Sequence, residues 1–176
     1  MEKSLKSSAI NYGLYLGLFL ASVTILAYAI QIELLTQWWL GIIMLIVIIG
    51  FGIFSTSKSK KMLNGFLTFK EAFSSYFITV AIGVLISMLV SIILFNFIDP
   101  DAAITLKEKM IEKTAEMMQN FGAPEDAIAD TITKMEEQEG QFEIVSQLKS
   151  NAFYLVFHAV IGLIVAAIMK KANPDA

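Results

Sequence analysis

The chain has 176 residues, of which 56% are hydrophobic and 16% charged, with a mean hydropathy of +0.67 and a net charge of −3. It has no cysteine and all thirteen cations are lysine, which excludes disulfides, thiolate metal sites and bidentate guanidinium clamps. The acidic balance without a basic patch argues against nucleic-acid binding, and apolar runs of about 18 residues or more argue for helices that cross a bilayer.

Met1 to Ser8 is a polar head with Lys3 and Lys6, and the first span follows over about 9–32. At about 1.5 Å per residue such a run reaches roughly 36 Å, enough to cross with some tilt. The head also has the form of a signal-peptide n-region, and Ala27-Tyr28-Ala29 has the small-x-small form of a cleavage site, but the apolar run exceeds a usual h-region. A lysine-free connector holds Glu33. Trp38 and Trp39 then open the second span, about 38–56, as paired interfacial indoles rather than a stacking site. Lys58, Lys60, Lys61 and Lys70 cluster in the second connector, and the third span covers about 72–98.

Asp99 to Ser150 is the one long polar stretch, with twelve acids and five lysines and hence a net charge of −7. Asp99 is placed to cap a helix whose first residue is Pro100. Ala103, Leu106, Met110, Met117 and Phe121 recur at helical spacing, with Thr114 on the same face. Gly122 and Pro124 punctuate a turn into a second helix bearing Ile128, Ile132 and Met135 on one face and Glu125 and Asp126 in its first turn. Gly140 interrupts that helix, and Phe142, Val145 and Leu148 lead into a fourth span over about 151–169, closed by Lys170 and Lys171. The expected fold is all-α: a single membrane domain, 1–176, of four transmembrane helices with an extracytoplasmic acidic helical hairpin, 99–150, between the third and fourth.

Lysine flanks set the orientation. The head, the second connector and the tail hold eight lysines and three acids, whereas the first connector holds no lysine. The expectation is a multi-pass protein of the cytoplasmic membrane with both termini cytoplasmic. Cleavage of the first span would not change the orientation of the others.

Within the spans, Thr79, Gly83, Ser87 and Ser91 lie four residues apart on one face of the third, Gly13 and Gly17 form a GxxxG pair in the first, and Gly162 and Ala166 match that spacing in the fourth. Small residues let helices approach in lipid, either inside one bundle or between copies in a homo-oligomer. No span contains Asp, Glu, Lys or Arg. His158, the single histidine, is therefore the candidate functional side chain of the membrane region. The plainer account is a neutral imidazole hydrogen-bonded to Ser87 or Ser91. One histidine and no cysteine cannot build a His/Cys metal cluster, and no GxSxG, P-loop or HExxH pattern occurs. Asp99, Asp101 or Glu136, Glu137 and Glu139 could hold a divalent cation loosely, but the spacing of a calcium loop is missing, so a solvated acidic face is the simpler account and no cofactor or metal is expected.

Gly65-Phe66-Leu67-Thr68-Phe69-Lys70-Glu71-Ala72-Phe73 opens the third span and Asn96-Phe97-Ile98-Asp99-Pro100 closes it. With the acidic insert and the paired terminal lysines, this order resembles a bacterial membrane family catalogued as a domain of unknown function, number four-one-nine-nine, over nearly the whole chain. The resemblance implies four spans with the first retained, a bacterial source and no assigned catalytic residues. Thr68 and Glu71 also read as a capping box, and Asp99 with Pro100 as a helix start. The leading functional expectation is a non-enzymatic membrane protein whose outer helical pair meets a protein partner. A small transporter or channel subunit acting as a homo-oligomer, and a membrane enzyme, stand behind it.

Overall fold

Four helices long and apolar enough to cross a membrane form a bundle around the third of them. The computed structural model describes residues 2–138 and 140–171. In chain order these are α1 (Glu2–Ile30), a 3-10 turn (Ile32–Thr36), α2 (Trp38–Met62), α3 (Phe69–Ile93), a π-helical turn (Leu94–Ile98), α4 (Pro100–Asn120), α5 (Glu125–Glu137) and α6 (Ile144–Met169). The described residues hold no strand, only a backbone bridge between Leu67 and Lys171.

The helices extend past the expected spans at the lysine-bearing end. α1 starts at Glu2 instead of Ala9, and α2 continues to Met62, with Lys60 and Lys61 in its last turn. Cations there suit the negative pole of the helix dipole. Thr68 caps α3: its hydroxyl accepts from the backbone N–H of Glu71 at 3.3 Å, and its own N–H donates to the Glu71 carboxylate at 2.9 Å. Lys60 reaches across to the Met169 carbonyl at the end of α6, at 2.9 Å, beside the Leu67–Lys171 bridge. This end of the bundle is thus tied by backbone and side chain together.

α3 is the central element, packed on α1, α2 and α6. Close approach to α1 depends on glycine: a Cβ on Gly13 would lie 2.8 Å from Ile82, and one on Gly17 would lie 2.7 Å from Ile86. Leu16 fits over Gly83 in return. The main core cluster joins Leu16, Leu20, Ile48, Tyr76, Val80, Val84 and Val165. Large apolar side chains such as Leu18, Ile46, Leu89 and Ile168 point outward from the bundle, as lipid contact requires.

α4 begins where Asp99 caps it, accepting from the Ala102 N–H at 3.0 Å with Pro100 at the first turn. Its N-terminal half sits on the bundle end through Ala102 and Leu106, buried with Leu94 and Phe95 against Tyr28, Leu35 and Phe142. Ala102 is buried in this seat, and Ala103, partly buried, packs against the same cluster. Gly122, at φ +74°, turns the chain into α5. Pro124 precedes the first residue of α5 rather than occupying it, and Glu125 and Asp126 fill the first turn. Ile128 is buried, and Ile132 and Met135 are half-buried, on the side of α5 that meets α4. α6 starts seven residues before the expected span, at Ile144 instead of Asn151.

Candidate functional site

His158 is fully buried within α6. Its Nδ1 lies 3.3 Å from the Tyr76 hydroxyl of α3, and its ring meets Tyr154 edge-on with centroids 4.6 Å apart. The partner is Tyr76, not Ser87 or Ser91. Those serines lie eleven and fifteen residues further along α3, which is roughly 16 Å or more along the helix axis. Tyr76 reaches His158 because two glycines clear its path: Cβ atoms on Gly52 of α2 and Gly162 of α6 would both collide with its ring. Nε2 of His158 is buried and has no hydrogen-bond partner among the described residues. Whichever tautomer is present, one ring nitrogen is left unpaired, a situation that costs about 1–3 kcal/mol.

Beside this layer, four hydroxyls converge between α2 and α3. Thr79 and Ser55 are 2.7 Å apart, and Ser75 and Ser59 are 2.8 Å apart. Thr79 also lies 3.0 Å from the Ala9 carbonyl of α1, so three helices meet at this side chain. All four residues are buried. Sequence spacing singled out Thr79 alone; Ser55, Ser59 and Ser75 sit four residues apart on α2 or one turn from Thr79 on α3, and only the pairing of the two helices joins them. Nearby, Leu5, Lys6, Ala9, Glu71 and Ser75 line a cleft of about 200 Å³ between the starts of α1 and α3.

The Thr79–Ser91 stripe is divided by burial. Thr79 and Gly83 are covered by α1 of the same chain, so that face is not open to a second copy. Ser87 and Ser91 are half-buried and line cavities at the other end of the bundle. Gly13 and Gly17 likewise pack inside the chain, and Gly162 packs on Tyr76 and Phe73.

At the α4 end, Asp99 has a second role that spacing did not show. Its Oδ2 accepts from the Tyr28 hydroxyl of α1 at 2.7 Å while Oδ1 caps α4. Asn96 and Gln147 both donate to the Phe142 carbonyl, at 2.8 and 2.6 Å, which fixes the start of α6 to the π-helical turn. Among the described residues no group of three His, Asp or Glu side chains is placed to hold a metal ion. Glu139, part of one loose carboxylate group considered from sequence, lies outside the described residues, as do Asn173 to Ala176.

Lys107, Lys109 and Lys113 of the polar stretch turn inward or pair. Lys107 donates to the carbonyls of Glu136 and Gln138, at 2.8 and 2.7 Å, and so caps the end of α5. Lys113 donates to the Thr36 hydroxyl at 2.7 Å, and Lys109 pairs with Glu112 at 2.9 Å. The acids Asp101, Glu108, Glu116, Glu125, Asp126, Asp130, Glu136 and Glu137 are exposed. Between α4 and the α1–α2 connector runs a groove of about 760 Å³ lined by Trp38, Met110, Lys113, Glu116, Met117 and Phe121. Phe121 is 85% exposed and Trp38 76%.

No curated protein and no solved structure matches the chain. A family model does: residues 11–171, from within α1 to two residues past α6, match the family described as "Protein of unknown function (DUF4199)", and the chain belongs to that family.

Proposed function

We propose a non-enzymatic, multi-pass protein of a bacterial cytoplasmic membrane, with both termini inside, that holds the acidic α4–α5 pair on the outer face as a docking element for a basic amphipathic helix of another protein. The groove between α4 and the connector carries this reading: it exposes Trp38, Met117 and Phe121 beside Glu116. Apolar anchors in such a groove with complementary charge at the rim are the usual recipe for capturing an amphipathic helix. The apolar face of α5 lies against α4, and the N-terminal half of α4 is seated on the bundle. That leaves the distal half of α4 as the face still to be covered. At least three of the five lysines of the stretch are engaged internally, so the surface offered is strongly acidic. The orientation is supported by the lysines gathered at the opposite end, at positions 58, 60, 61, 70, 170 and 171.

Two experiments test this. Reporter fusions after Lys61 and after Gln119 should report opposite sides; a cytoplasmic signal from the second overturns the orientation. The purified protein in zwitterionic nanodiscs should bind a lysine-rich amphipathic peptide and not its glutamate-rich counterpart with the same apolar face. Binding should weaken with salt and vanish in Phe121→Glu. Equal binding of both peptides, or binding unaffected by Phe121→Glu, would falsify the docking role.

A further inference from the structure

A second recess lies inside the bundle and shares no lining residue with that groove. All four membrane-length helices line a cavity of about 190 Å³, with Leu20, Met44, Ile48 and Val84 among its apolar walls and Tyr154 at its side. It shares Thr24, Leu35, Ser87 and Asn151 with an adjoining cavity of about 200 Å³, which adds Ser91 and Gln147. The polar end is the one nearer α4, and the apolar end lies toward the middle of the helices. No charged side chain lines either part.

Ser22, Thr24, Thr56 and Thr79 each bond the carbonyl four residues back, the ordinary refuge of a hydroxyl in a helix. Ser87 and Ser91 make no hydrogen bond with any described residue. Two hydroxyls that face a recess and lack a partner within the chain call for one from outside it.

We propose that this recess binds one amphiphile with a neutral hydrogen-bonding head and an apolar tail. The head would meet Ser87, Ser91 and Asn151, and the tail would lie along Leu20, Met44 and Ile48. Polar toward the bundle end and apolar toward its middle is the same sense as a lipid in one leaflet, so a molecule can enter sideways without turning over. An ionised head would be desolvated against groups that carry no countercharge.

The test is native mass spectrometry of the protein released from detergent after incubation with 1-monooleoylglycerol or with oleate at pH 8, two probes that share the chain and differ in head charge. The expected result is a one-to-one adduct with monooleoylglycerol and about tenfold less with oleate. Ser87→Ala and Ser91→Ala should each lower occupancy about fivefold, the fold-change for one lost hydrogen bond. Met44→Trp, which fills the apolar end, should abolish the adduct while Ile46→Trp on the outward face should not. Equal occupancy by oleate overturns the neutral-head assignment. Occupancy unchanged in both serine variants and in Met44→Trp overturns the site itself. Thermal unfolding of each variant separates loss of binding from loss of fold.

Discussion

The layer around Tyr76 and the seat of α4 hold the chain together by opposite means. Around Tyr76, glycines on α2 and α6 admit one large ring, and contact is by shape. At the seat of α4, the joints are named polar groups: Tyr28 to Asp99, Asn96 and Gln147 to the Phe142 carbonyl, Lys113 to Thr36. In lipid no hydrophobic drive presses helices together, so close packing must do that work. Outside the apolar layer, water competes for every polar group, and a helical pair stays in place only where its caps and cross-links are specific. Damage to the first region should therefore unseat the whole bundle, whereas damage to the second should free α4–α5 and leave the bundle standing.

The largest effect should come from Tyr76. Tyr76→Ala leaves a void between Gly52 and Gly162 and is expected to cost about 3–5 kcal/mol, read as a fall in the midpoint of thermal unfolding in mild detergent. Next is Gly52→Ala, whose added methyl would collide with the Tyr76 ring, at about 1–3 kcal/mol. Gly50→Ala, two residues away with open space around it, is the matched control and should be neutral or better. If both glycine variants behave alike, packing by shape is not what holds this layer.

Smaller is Asp99→Ala, which removes the α4 cap and the bond to Tyr28 and should cost about 1 kcal/mol. Hydrogen exchange should show faster opening confined to α4 and α5. Spread of that effect into α1 and α3 would break the contrast between the regions. Tyr28→Phe combined with Asp99→Ala should be less than additive, because both remove the same bond.

The smallest effect is electrostatic. The hydrogen bond from Lys109, and then its charge, holds the Glu112 carboxyl below the ordinary carboxylate range, and the same bond to Glu112 raises Lys109 above its usual value. Stability from Glu112 is therefore present above the unfolded carboxylate pKa and lost as pH falls through the lowered one. That from Lys109 is present below the unfolded lysine pKa and lost as pH rises through the raised one. Both contribute at neutral pH. Because the pair is exposed, Glu112→Gln should change α4 protection only slightly at pH 7 and not at all in acid below the lowered value. A larger change than that of Asp99→Ala would reverse the ranking.

What could be read from sequence follows the same division. Length and apolarity revealed the four long helices, and local motifs revealed their ends: the Thr68–Glu71 capping box, Asp99 with Pro100, and Gly122 in the turn. The interior could not be read that way. A helix in lipid is apolar on its inner and outer faces alike, so periodicity does not tell Leu16, which is buried, from Leu18, which is exposed. The Tyr76–His158 contact, 82 residues apart, and the Tyr28–Asp99 bond, 71 apart, depend on how the helices are rotated against one another. The hydroxyl cluster was half visible: four-residue spacing marked Thr79, but Ser55 and Ser59 looked like ordinary residues near the end of a span.

The π-helical turn from Leu94 to Ile98 sets the rotational phase of everything that follows it. Its closing bond, from the Asp99 N–H to the Leu94 carbonyl at 2.8 Å, spans five residues instead of four. It therefore accommodates one more residue than an α-turn would, and each residue turns an α-helix by about 100°. Deleting a residue here would let α3 run on as a plain helix and swing Asp99 about a quarter-turn from Tyr28. The cap, the seat of Leu106 and the heading of the whole α4–α5 platform would rotate together. One surplus residue thus acts as the indexing tooth that sets which way the platform faces.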